Sequence, residues 1–423
     1  MSQSVRDGQA HSAWVAWLMS PIGTAIVALG MTQIIAWGTT LYALGVLAAP
    51  IVADTGWSRS LVFSGLTVGL LVSGFVSTAV GKTIDDKGGQ VVMSLGSVLC
   101  AVSLLIVAAA SNPFVYLAGW AVMGFGMRMS LYDAAFAALV QVAPHRGRRA
   151  ISYLTLFGGF ASTIFWPIGH ILTAEVGWRL TLVIYAAINM TVCLPLHWWG
   201  LSRREPPENR PTEAASASVA PGITDPPLEG QARVLAMLLF GFVMSASAFV
   251  FGAMAVHLPA VLEASGLSAA AAVTLASLKG VAQVAGRVGE ILFGKRLHAI
   301  DLGRISVAGM PLAFIVLVAG GASYSAAFLF IVLFGVANGL VTIVRGAVPL
   351  ALFGPQGYGT VLGILATPYL LVNALAPAAL AVIVDLWGYG VAEGVVLAAG
   401  LLSAGAMEMM GIWYRRRRAN RTA

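Results

Sequence analysis

Apolar stretches of about 20 residues recur along this chain from Pro21 almost to its arginine-rich C-terminal end, and nothing else in the sequence constrains the fold so tightly. One such stretch, wound as an α-helix, crosses a hydrocarbon core of ~30 Å. Inside that core every backbone N–H and C=O needs an internal partner, which leaves only helices and closed barrels. The runs here are continuously apolar and lack period-two alternation, so a barrel is excluded. Composition agrees: 59% of residues are hydrophobic and 10% charged, whereas soluble domains carry about 25% charged residues. The expected fold is an all-α, multi-pass membrane protein.

Twelve spans are predicted. The first six run roughly over 22–50, 59–82, 89–111, 114–143, 149–174 and 179–200; the second six over 233–262, 268–294, 303–321, 325–352, 358–384 and 390–413. The breaks fall at DTGW (54–57), SNP (111–113), EVGW (175–178) and DLWGYG (385–390), all turn-forming sequences. Between the two sets lies the sizeable hydrophilic passage 201–231, rich in proline, serine and glutamate and expected to be a flexible linker. The chain thus divides into an N-terminal six-helix bundle (1–200), the linker (201–231) and a C-terminal bundle with a short basic tail (232–423). Six plus six is the pattern of a parallel repeat about an axis along the membrane normal.

Lysine and arginine set the orientation. The side holding the N-terminus, the linker and every second loop carries 18 of them, and the opposite side only Arg59 and Arg179. That bias places both termini and the linker in the cytoplasm, with the protein in the cytoplasmic (inner) membrane. It also accounts for the net charge of +7 without a nucleic-acid partner. Arg415–Arg418 is expected to anchor that end at anionic membrane lipid. Cys100 and Cys193 sit inside apolar spans without disulfide or metal spacing. The stretch MSQSVRDGQAHSAWVAW has no basic segment followed by a small-residue cleavage site, so the first span is expected to serve as the insertion signal.

On these features the chain resembles the major facilitator superfamily. The loop GKTIDDKGGQ (81–90) between spans two and three matches the family's G-x-x-x-D-x-x-G motif at Gly81, Asp85 and Gly88. Asp86 and Gly89 depart from it, since the family usually has basic residues there. The motif implies a gating loop with a tight turn, in which Asp85 accepts from a neighbouring helix N-terminus. Subgroup cues diverge. TGWSRS (55–60) is similar to monocarboxylate and oxalate–formate type members. FGGFASTIFWPIGH (157–170) is a loose relative of an antiporter motif, with Trp166 where that motif has glycine. The block 131–163 is similar to a bacterial branch that includes arsenite-efflux permeases.

Charges within spans mark a pathway or an internal pair. Arg128 and Asp133 fall in span four, Lys279, Arg287 and Glu290 in span eight, and Arg345 in span ten, a surplus of positive charge that an anionic solute would offset. On a continuous helix Arg128 and Asp133 lie about 140° apart and make poor partners, while Tyr132 shares a face with Arg128. Lys279, Gln283 and Arg287 recur every four residues as one stripe; Asn338, Thr342 and Arg345 form another. The resemblance implies that helices one, four, seven and ten line a cavity, flanked by two, five, eight and eleven. Arg128, Tyr132, Lys279, Gln283, Arg287 and Asn338 are therefore the expected substrate-binding residues, and Asp133 the expected proton carrier. Structural alternatives remain for some: Arg287 with Glu290 as a pair, Arg345 snorkelling to the interface, and Asp133 bridged to Arg345 or Arg149. Gln33, Trp37, Thr40, Tyr42, Tyr369 and Asn373 complete the pocket or pack, and Pro167 and Pro368 kink their helices.

The sequence thus predicts a secondary transporter for a small organic anion, proton-coupled and working by alternating access, not an enzyme. Cofactors and metals are not expected, and the protein is expected to be a monomer. No G-x-x-x-x-G-K-[ST] occurs, so nucleotide drive is disfavoured. Efflux of a toxic compound, such as a trivalent arsenical or a drug, is the alternative.

Overall fold

The computed structural model describes residues 16–205, 226–294 and 297–422. Most of the expected linker (206–225), and Arg6, Arg210, Lys295 and Arg296 of the charge count, lie outside the described residues. In chain order the helices are α1 (Pro21–Thr39), α2 (Leu44–Thr55), α3 (Arg59–Lys87), α4 (Gly89–Ala109), α5 (Pro113–Ser130), α6 (Tyr132–Val142) and α7 (Gly147–Gly159). They continue with α8 (Ala161–Ile188), α9 (Leu194–Gly200), α10 (Gly230–Ala264), α11 (Ala269–Phe293), α12 (Ala299–Gly320), α13 (Tyr324–Phe353) and α14 (Tyr358–Thr422).

Local chemistry sets the starts. Ser20 Oγ accepts from Gly23 N at 3.1 Å and Asn112 Oδ1 from Val115 N at 3.0 Å, each followed by proline at the first helical position. Ser58, Ser268 and Ser323 cap α3, α11 and α13 in the same way.

Among the described residues ten apolar helical stretches are long enough to cross a membrane. Two of them, of 54 residues (Gly147–Gly200) and 63 residues (Tyr358–Asn420), are about twice the length one crossing needs. Each reverses at one glycine. Gly177 has φ 77° and ψ 165°, and Gly388 φ 78° and ψ 174°, a conformation open to glycine and closed to residues with a Cβ. Ten stretches with two such reversals make twelve spans. The reversals separate spans five and six and spans eleven and twelve, the same place in each half of a parallel repeat.

The backbone divides into two compact units. The first takes in the described residues up to Val72, those from Ala79 to Glu205, and Gly357–Thr360. The second takes in Ser73–Thr78, the described residues up to Gln356, and those from Val361 on. The core of the first joins Leu44, Leu47 and Ile51 of α2 to Leu104, Tyr116, Trp120, Trp178 and Tyr185, with Cys100 and Cys193 buried there as free thiols. Phe251, Phe314, Phe330 and Phe334 form an aromatic cluster in the second, with the ring centroids of touching pairs 5.1–5.8 Å apart.

In that second unit α11 and α13 touch backbone to backbone. A Cβ on Gly335 would stand 2.7 Å from Lys279 O, and one on Gly339 2.4 Å from Gln283 O. The G-x-x-x-G spacing of 335 and 339 is what permits this approach.

Candidate functional site

In the first unit span four is broken at mid-length. α5 stops at Ser130, Leu131 is extended (φ −83°, ψ −172°), and α6 starts at Tyr132 with Asp133 in its first turn. The break corrects the helical arithmetic: Arg128 Nη1 lies 3.4 Å from Asp133 Oδ2, both side chains buried. The expected Arg128–Tyr132 face is lost as well, because the two residues belong to different helices. The Tyr132 hydroxyl donates to Thr155 O at 3.1 Å.

An unwound turn at membrane depth needs its backbone groups satisfied from elsewhere. Gln33 of α1 does part of this, its Nε2 donating to Ser130 O at 2.7 Å while its Oε1 accepts from Trp37 Nε1 at 3.1 Å. Aromatic rings continue from this strut. Trp37 lies 5.1 Å from Tyr132 and 6.0 Å from Tyr42, and Tyr42 meets Trp166 edge-on at 6.2 Å. Beyond Trp166 an open groove of about 490 Å³ is lined by Ser162, Thr163, Pro167 and His170 of α8 and by Gly45 and Val46 of α2. Ser162 and Thr163 are polar positions that the sequence reading passed over. Their spacing from Trp166 and His170 (162, 163, 166, 170) marks one helical face and was the available signal.

The loop motif is also in the first unit. Gly88 turns with φ 88°, and Gln141 secures the turn, accepting from Gly89 N at 2.9 Å and donating to Ile84 O at 2.8 Å. The Asp85 carboxylate caps the start of α14: it accepts from Gly359 N (2.9 Å), Thr360 N (2.7 Å) and Thr360 Oγ1 (2.6 Å). Gly81 contributes close approach, its carbonyl lying 2.6 Å from where a Cβ on Gly359 would be.

In the second unit α11 is continuous, so Lys279, Gln283 and Arg287 do share a face. Arg287 is buried; its Nε lies 3.4 Å from Gly339 O and its Nη2 3.5 Å from Thr342 Oγ1. Thr342 in turn donates to Asn338 O at 3.1 Å. The Arg345 guanidinium lies 4.9 Å from the Tyr369 ring centre, a cation–π contact. The side chains of Lys279, Gln283 and Asn338 make no hydrogen bond or ion pair with any described residue. The charge surplus therefore resolves by unit. Arg128 and Asp133 offset each other in the first, while Lys279, Arg287 and Arg345 stand against Glu290 in the middle of the second. Two further acids lie in span twelve, Glu393 and Glu408, and Glu408 is matched by Arg304 of α12 at 2.6 Å.

Residues 26–320, well over half the chain, match the family described as the Major Facilitator Superfamily. The YcxA protein of Bacillus subtilis (strain 168), an uncharacterized MFS-type transporter, is 25% identical over 211 residues. That match spans about half of each protein, 48% of this chain and 49% of the relative. Among solved structures, the human organic anion transporter MFSD10 (TETRAN) superposes with TM-score 0.70 at 16% identity, covering 91% of this chain and 98% of its own. The proton:xylose symporter XylE bound to 6-bromo-6-deoxy-D-glucose does so with TM-score 0.68 at 14% identity, covering 93% and 96%. At such identities the likeness establishes the fold.

Proposed function

The chain belongs to the major facilitator superfamily, and on that premise we propose that it is a secondary transporter of a small organic anion. The observation that carries this reading is Lys279, a cation within a span whose ammonium no described residue engages, beside the equally unengaged amides of Gln283 and Asn338. A carboxylate meets all three needs at once: it neutralises the cation and accepts from both amides. Arg287, held at Gly339 and Thr342, keeps this wall in register.

Proton coupling is assigned to Asp133. Transport then proceeds by alternating access of the bundles 1–200 and 232–423, under control of the loop at Gly81, Asp85 and Gly88. The protein is placed in the cytoplasmic membrane as a monomer with both termini inside. The name of MFSD10, an organic anion transporter, fits this reading.

Purified protein in proteoliposomes tests it. A panel of labelled monocarboxylates and dicarboxylates, with arsenite included, should show saturable uptake of an anion. Lys279→Ala should cut that uptake by at least about tenfold, the loss of one charge-assisted contact of ~1.5–3 kcal/mol. Uptake of arsenite alone, unaffected by Lys279→Ala, overturns the anion reading. Asp133→Asn should abolish accumulation driven by a pH gradient while leaving substrate exchange; unchanged pH-driven uptake removes Asp133 from the coupling.

A further inference from the structure

The arginines at 415–418 divide between two faces of α14, which runs on through them to Thr422. One face is committed to the protein. Arg304 of α12 donates from Nε to Glu408 Oε2 at 2.6 Å and from Nη1 to Asp301 Oδ1 at 2.9 Å. Arg415 joins this network with Nη2 4.0 Å from Glu408 Oε1, and Tyr414 packs beside His298 with ring centres 5.5 Å apart.

The other face makes no such contact with a described residue. Met409, Ile412, Trp413, Arg416, Arg417 and Asn420 line an open groove of about 630 Å³. Their spacing by threes and fours makes them one stripe along the helix. Chemically the stripe is graded. Met409 and Ile412 are exposed and apolar, Trp413 follows with its amphipathic indole, and the guanidinium groups come last. Acyl chains, interface and headgroups meet a helix in that order. Arg416 and Arg417 form no ion pair with a described residue, and Arg417 Nε is buried without a hydrogen-bond partner. A desolvated donor on a cation is costly until an anion accepts from it.

We propose that this groove is a binding site for an anionic phospholipid, its phosphate held by Arg416 and Arg417 and its acyl chain lying along Met409 and Ile412. This is narrower than diffuse attraction of a basic tail. Two of the four consecutive arginines hold the lipid, and Arg415 holds the protein to itself.

Native mass spectrometry and thermal shift on the full chain in uncharged detergent test the site. The probes are phosphatidylglycerol and phosphatidylcholine of matched acyl chains. Wild-type protein should retain and be stabilised by phosphatidylglycerol only. The double variant Arg416→Gln/Arg417→Gln should bind it about fivefold more weakly for each arginine removed. The charge-matched control Arg415→Gln/Arg418→Gln should keep wild-type retention even where its melting point falls with the Glu408 network. Arg416→Lys/Arg417→Lys should recover part of the affinity. Equal losses in both glutamine variants mean diffuse charge and overturn the site. So does equal retention of phosphatidylcholine, or stabilisation by inorganic phosphate that matches the lipid's.

Discussion

Arg128 and Asp133 show how much one backbone residue can alter a charge pair. Five residues apart, they would diverge on an unbroken helix; Leu131, extended between α5 and α6, brings them to 3.4 Å. Removing one member takes a counter-charge at 3.4 Å away from a buried group, a destabilisation of up to ~3–5 kcal/mol. Arg128→Met should therefore lower the melting point sharply, while Arg128→Met/Asp133→Leu should recover most of it, as read by thermal shift. A double variant no more stable than the single one would mean that the two groups do not act as a pair. This contact was not legible beforehand, because neither proline nor glycine stands at 130–131 to announce a break. The trace was Asp133 itself, an acid where a new helix N-terminus favours one.

Elements were easier to read than contacts. Serine and asparagine caps, Pro21 and Pro113 at helix starts, and the turns EVGW and DLWGYG set the limits of spans, and the reversals fall at Gly177 and Gly388 within those two turns. The stripe Lys279–Gln283–Arg287 was also readable, because α11 is unbroken and period 3.6 holds along it. What periodicity does not reveal is which helix the stripe's own backbone touches. Gly335 and Gly339 supply that, bringing α13 against Lys279 O and Gln283 O. Gly339→Leu should force the helices apart at a cost of ~1–3 kcal/mol. It should lower thermal stability and anion uptake together, whereas Gly280→Ala, with nothing within 4 Å of its added methyl, should lower neither.

Across the whole molecule, hydropathy and the placement of lysine and arginine carried most of the reading. They work because hydrocarbon admits so few backbone arrangements. They are silent on which charges pair, since pairing depends on breaks and close packing that leave composition unchanged. The expected topology is open to a direct check: a cysteine at Ser216 should resist an impermeant maleimide added to intact cells and react once the cells are opened. Labelling of intact cells would invert the orientation. The reversals at Gly177 and Gly388 carry a practical consequence. A break confined to one non-helical residue leaves little slack between its two helices, so an insertion at either glycine should disturb the helix on each side. Handles for capture belong elsewhere on the chain, and fusions made at either glycine should be expected to fail at the stage of membrane insertion.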